Sequence, residues 1–177
     1  AGLPPPPPAD FPVVFGGARP CEDATNSVAL NDEAAGVAAT HHLLQLGHQE
    51  IGLITGPLAE DCSQDRWLGY ETALRAANIT PQPGWVIEGD WSARSGYDAL
   101  MAFAETGRIP SAIFAQNDLM AAGVLRAAND LGLRVPTQLS VIGVDDIPMA
   151  AYLEPPLTTI KQDFLQIGRE AARLLIR

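Results

Sequence analysis

Positive charge is scarce in this sequence: 11 Lys and Arg stand against 21 Asp and Glu in 177 residues, giving a formal net charge of -10. The basic residues are scattered, so no stripe exists to neutralise phosphates, and the chain by itself is expected not to bind nucleic acid. Cysteine is scarce too. Cys21 and Cys62 lack CxxC spacing and any disulfide framework, which fits a reducing compartment. No apolar run approaches the roughly 18 residues a membrane span needs, so no transmembrane helix is expected. The usual catalytic signatures are missing as well: there is no GxGxxG after a strand, no GxxxxGK(S/T), no GxSxG and no HExxH. The start, Ala1-Gly2-Leu3 before Pro4 to Pro8, has neither an initiator Met nor a charged-then-apolar leader, so the chain reads as a piece of a longer protein. What it does have is apolar content, 47% of residues, enough to bury the core of one domain or one and a fraction.

Five short apolar runs each end in a polar or aromatic residue ahead of a helical stretch. They are Ile51-Gly52-Leu53-Ile54, Trp85-Val86-Ile87, Ala112-Ile113-Phe114-Ala115, Val141-Ile142-Gly143-Val144 and Thr158-Thr159-Ile160. Patterning predicts helices near 63–77, 93–106, 118–131 and 163–176, with Ser92 and Asn117 as N-caps and Gly107 and Gly132 just past two helix ends. Strands alternating with helices of this length give a parallel sheet with right-handed crossovers. Residues 47–162 therefore read as nearly one complete doubly wound domain. Residues 1–46 do not close alone. A stiff Pro4–Pro8 segment, a strand over Pro12–Phe15, a loop over 16–27, a second run at Val28–Leu30 and a helix from about Glu33 to Leu46, capped by Asn31 or Asp32, leave an open sheet edge and an uncovered apolar face. The last stretch, 163–177, is a helix leading back toward that first segment.

In a parallel sheet the carboxyl ends of the strands share one rim, and ligands sit in the crevice outside it. Arg66, Trp91, Asn117, Asp145 and Gln162 all follow strand ends, so they are expected to converge on one small polar ligand. Bidentate Asp, Asn and Arg suit paired hydroxyls and an indole suits the apolar side of a pyranose, so the inventory points to a sugar. Trp91 has an equal claim as a core aromatic. The Asp145-Asp146 pair could hold Mg²⁺ or act as acid and base. The plainer reading has Asp145 meeting hydroxyls and Asp146 capping the segment that follows. His41 and His42 point to different faces of one helix and His48 lies beyond it, so no metal site is expected, and no cofactor.

At this point a family resemblance appears. Leu46-Gly47-His48-Gln49-Glu50-Ile51, Gly89-Asp90-Trp91-Ser92, Asn117-Asp118-Leu119-Met120-Ala121, Gly132-Leu133-Arg134-Val135-Pro136, Ser140-Val141-Ile142-Gly143-Val144-Asp145-Asp146 and Pro155-Pro156-Leu157-Thr158-Thr159-Ile160-Lys161-Gln162-Asp163-Phe164 resemble the effector-binding core of the lactose/galactose repressor family, in order and from about Pro12 to the end. The resemblance implies an α/β, periplasmic-binding-protein-like doubly wound parallel sheet, with one nearly complete subdomain and part of a second. It implies a cytoplasmic, sugar-responsive transcriptional repressor rather than an enzyme. Such a protein responds to a small-molecule sugar effector, galactosides among the candidates, and reaches operator DNA through a helix-turn-helix headpiece that this sequence lacks. It forms a homodimer or higher homo-oligomer and has no membrane partner. By resemblance Arg66, Asn117 and Asp145 hold sugar hydroxyls, Trp91, Gln162 and Phe164 fill other pocket positions, and Leu30 is an apolar pocket position from the first subdomain. Gly17 stands where a sugar-contacting Asp is expected and Cys62, also at the pocket, where a small Ser is. Met149-Ala150-Ala151-Tyr152-Leu153 and the helix with Leu119, Met120 and Leu125 resemble the subunit interface, with core packing as the competing role for the helix. A periplasmic sugar receptor is the alternative binding function, and a Mg²⁺-dependent hydrolase using Asp145 and Asp146 the enzymatic one.

Overall fold

The computed structural model of the chain describes residues 13–16 and 26–176. The Pro4–Pro8 run, Pro12, Gly17 and Cys21 lie outside them. The chain divides into two compact units, the first drawn from residues up to Leu30 and from Asp163 onward, the second from Asn31 to Gln162.

The larger unit is built on five strands: β3 (Ile51–Thr55), β4 (Val86–Glu88), β5 (Ala112–Ala115), β6 (Ser140–Asp145) and β7 (Thr158–Lys161). Their order is β4-β3-β5-β6-β7 and every pairing is parallel. The central strands are continuously apolar because both faces are covered, as parallel sheets require. On one face Ile51, Leu53, Phe114, Ile142 and Val144 pack with Ala39 and Leu43 of α1 (Asp32–Gln45) and with Tyr70 and Leu74 of α2 (Asp61–Ala76). On the other, Ile54, Ile113, Ala115 and Val141 meet Leu100 and Phe103 of α3 (Ala93–Glu105) and Met120 and Val124 of α4 (Asp118–Asp130). Trp85, expected within a strand, instead lies buried in a short turn ahead of β4, with the Arg108 guanidinium 4.8 Å above its ring.

The sequence reading grouped residues 31–46 with the N-terminal segment, whereas α1 belongs to the larger unit. Its apolar stripe buries Ala35, Ala39 and Leu43 there, and α1 crosses α2 with almost no room between their backbones. A Cβ on Gly36 would overlap the Arg66 carbonyl, and one on Gly69 the Glu33 carbonyl. The α3–α4 pair is built the same way, with Gly96 against the Met120 carbonyl and Gly123 against that of Ala93.

The smaller unit, as described, pairs β1 (Phe15–Gly16) with β2 (Ser27–Val28) in parallel and packs α5 (Phe164–Leu175) on both. Asp163 caps α5 by accepting from the Gln166 N–H.

Candidate functional site

In the strand order, β3 is followed by β4 on one side and β5 on the other, so the chain reverses direction across the sheet between β3 and β5. The carboxyl ends of these two strands flank the crevice that such a reversal opens. Gln116, at the end of β5, bridges the gap: its side-chain oxygen accepts from the Gly56 N–H and its amide donates to the Ser63 carbonyl, both at 3.0 Å. Three of the four non-glycine residues with positive φ among those described, Trp91, Asp145 and Asp146, lie on this rim; Asn78 ends α2. Strain of this kind costs about 1–3 kcal/mol per residue, and it collects where side chains must be aimed.

The glycine-tight α1–α2 crossing carries Arg66 on α2 to Asp32 at the start of α1. Its Nε and one terminal nitrogen each lie 2.8 Å from Asp32 Oδ1, and the other terminal nitrogen donates to the Gln116 carbonyl. Asp145, on the end of β6, lies 4.0 Å from the same guanidinium, and Gln162 donates to Asp32 Oδ1 at 3.2 Å. Burial pushes the Asp145 carboxyl up to about 6; Arg66 opposes that shift, while Asp118 and Asp32 add to it. Asn31, not Asp32, caps α1 by accepting from the Ala34 N–H, which frees Asp32 for the ion pair.

Trp91 is half-buried against the α3–α4 core and has several supports. Its indole lies flush on Gly56, where any Cβ would overlap the ring, and its Nε1–H donates to Glu60 Oε2 at 3.1 Å. The Arg66 guanidinium stands 5.8 Å from the ring centre. Asn117 accepts from the Met120 N–H as the cap of α4 and donates to the Trp91 carbonyl at 3.0 Å. Half of its hydrogen-bonding capacity is therefore spent on the fold, leaving one amide hydrogen and one lone pair. The Cys62 thiol sits in the same field: burial pushes it up, and Arg66, Asp32 and Glu60 all act on it.

Of the expected pocket residues, Arg66, Cys62, Trp91, Asn117, Asp145 and Gln162 come together in the larger unit. Leu30 and Phe164 belong to the smaller one. Asp32, Gln116 and Glu60 are the members that the sequence reading passed over. Asp32 had a signal, since it stands beside Asn31 and one helix needs only one cap. The Asp145-Asp146 pair divides differently from expectation. Asp118 holds the following segment, accepting from the Ile147 N–H at 2.8 Å and from Thr159 Oγ1 at 2.6 Å, while Asp146 is exposed. Among the described residues, no three His, Cys, Asp or Glu side chains are grouped to hold a metal ion.

Residues 40–177 match the periplasmic binding protein-like domain model. The chain belongs to that family. Within it, the relatives are repressors of the lactose repressor group: the HTH-type transcriptional repressor PurR of Haemophilus influenzae is 39% identical over 153 residues, covering 85% of this chain and 46% of that protein. The transcriptional regulator CelR in complex with cellobiose superposes with a TM-score of 0.87 at 34% identity, covering 92% of this chain and 50% of the other. The lac repressor bound to ONPG does so at 0.79 and 41%, covering 85% and 45%. The chain is a lactose-repressor-family effector-binding core and spans about half the length of the curated relatives it matches. These relatives are transcriptional regulators, not enzymes. No helix among the described residues is long and apolar enough to cross a membrane.

Proposed function

We propose that this chain is the effector-binding and dimerisation part of a sugar-responsive transcriptional repressor acting in the cytoplasm. One observation carries the reading. The crevice between β3 and β5 aligns a buried Arg66–Asp32 pair, the Asp145 carboxylate and Gln162 beside a rigidly held indole, the combination that grips vicinal hydroxyls while an apolar ring face rests on Trp91. Solved relatives carrying cellobiose and ONPG support a glycoside-type effector, and the repressor names of the curated relatives support DNA control over a periplasmic receptor. Control of DNA then works by linkage: effector must favour one arrangement of the intact repressor over another, by roughly 1–3 kcal/mol.

Calorimetric titration of the protein with neutral mono- and disaccharides is the test, beside Asp145→Asn and nucleobases as planar competitors for Trp91. Micromolar to millimolar sugar binding that weakens at least tenfold in Asp145→Asn is the expected result. Nucleobase binding with no response to any sugar would replace the sugar reading. Arg66→Ala is the poorer probe, because it leaves Asp32 buried without its cation and threatens the fold by about 3–5 kcal/mol.

The dimer surface of this reading centres on the segment after β6. Met149 and Tyr152 are 60% and 86% exposed, whereas Met120 and Leu125, expected to share that surface, are core residues, and of that helix trio Leu119 alone is exposed. Leu153 packs partly on the core as well, so Met149 and Tyr152 are the residues to vary.

A further inference from the structure

We infer that this crevice selects a polyhydroxylated effector carrying a positive amino group, and turns away phosphorylated or carboxylated sugars, with Glu60 as the residue that sets the preference. The inference rests on the sugar reading above and adds the charge of the ligand to it.

The charge balance at the rim is lopsided. Its buried cation, Arg66, already has its charge answered by Asp32, which takes Nε and one terminal nitrogen, while the Gln116 carbonyl takes one hydrogen of the other; two of its five N–H groups are left for hydroxyls. Asp145 lies 4.0 Å away, too far for a full hydrogen-bonded pair, and Glu60 makes no ion pair among the described residues. Lys161 is beside Asp145 in strand register, but it is exposed and makes no ion pair with Asp145. Asp145 thus has only the distant share of an Arg66 already held by Asp32, and Glu60 has as partners the Trp91 Nε1–H and the Cys62 thiol, with no cation within ion-pair reach among the described residues.

Helix N-termini are the other places where an anionic ligand finds positive charge. Four helices of the larger unit start on this rim, and each is already answered from within: Asn31 caps α1, with Asp32 in its first turn. Asp61 sits in the first turn of α2 and Asp118 in that of α4, while Ser92 caps α3 and is itself held by Asp90. A sugar phosphate would meet carboxylates and no donor cluster.

Glu60 occupies the N-cap position of α2, yet its side chain does not cap the helix. Its Oε2 instead accepts from Trp91 Nε1 at 3.1 Å, which puts a carboxylate at the edge of the indole that the sugar ring is to rest on. An ammonium group at that edge gains a charge-assisted hydrogen bond to the carboxylate. A hydroxyl in the same place gains only one acceptor.

Matched titrations of the protein test this: glucosamine, glucose, glucose 6-phosphate and glucuronate, and the galactose counterparts. Expected is at least tenfold tighter binding of the amino sugar than of its neutral partner in one of the two series, and at least tenfold weaker binding of the acidic sugars. Glu60→Gln can keep the indole hydrogen bond through its amide oxygen, and should reduce the ratio of amino-sugar to neutral-sugar affinity to threefold or less. Equal binding of amino and neutral sugars with no effect of Glu60→Gln overturns the charge inference and leaves the sugar reading intact. Tight binding of an acidic sugar overturns it too, and failure of the whole series to bind removes the sugar reading with it.

Discussion

With its carboxyl pushed up to about 6 from an ordinary 3.8, Asp145 between those pH values holds a proton in the folded protein that the unfolded chain has already released. The stabilisation tied to that proton is complete below pH 3.8 and is lost as pH rises through 6. Asp145→Asn should therefore raise stability at pH 7.5, on the order of 1–2 kcal/mol after allowing for its partial exposure, and leave stability at pH 4 nearly unchanged. Urea melts at the two pH values check it. Effector binding has the opposite dependence, because hydroxyls need the ionised acceptor: affinity should fall several-fold between pH 7 and pH 5 in the parent and stay flat in Asp145→Asn. At the other rim, His48 joins the starts of β5 and β6. Ser111 Oγ donates to the Glu50 carbonyl, so it accepts from His48 Nδ1 at 3.0 Å, and Nε2 is left to accept from Ser140 Oγ at 2.9 Å. Burial pulls the His48 pKa below 6.5, so its share of stability is present above 6.5 and lost as pH falls. Replacement by Ala should cost about 1–2 kcal/mol at neutral pH by chemical denaturation.

The elements are positioned by close backbone approach as much as by apolar area. Gly36 with Gly69 and Gly96 with Gly123 allow α1–α2 and α3–α4 to cross with carbonyls where side chains would stand, and these crossings set the height of Arg66 and of Asn117 above the sheet. Gly69→Ala should lose about 1–3 kcal/mol through overpacking and weaken effector binding by displacing Arg66. Gly84→Ala is the control: a Cβ there meets nothing within 4 Å, and its stability should change by less than about 0.5 kcal/mol. A thermal melt of both variants, with effector titration of the first, separates the outcomes; equal melting temperatures would show that the crossing has slack.

In the repressor proposed above, dimerisation and DNA control go together, because two-fold proteins read near-palindromic operators. Met149→Asp with Tyr152→Asp should convert the protein from dimer to monomer in sedimentation at micromolar concentration without lowering the melting temperature of the core. Persistence of the dimer would move the interface elsewhere. The 177-residue chain, at a net charge of -10, should show no measurable duplex binding at about 0.15 M salt, since an acidic surface repels the phosphate backbone.

Local patterning was enough for the strand–helix alternation: each of the five apolar runs became a strand or, for Trp85, the turn just before one, and Ser92, Asn117 and Gly107 stand at helix ends as propensity dictates. It was enough for much of the rim too, because in a parallel sheet any residue after a strand lies on the same edge. Partnership was another matter. That Asp32 pairs with Arg66 rather than capping α1, that Asp118 rather than Asp146 holds the turn after β6, and that Met120 and Leu125 face the core depends on contacts across 29 to 41 residues or on which helix face meets the sheet. The boundary at Leu30 and Asn31 follows from the α1–α2 glycine crossing. Sequence periodicity determines which residues are apolar and where elements start; only packing decides which polar group finds which, since hydrogen-bond geometry is satisfied in three dimensions and leaves no period in the chain.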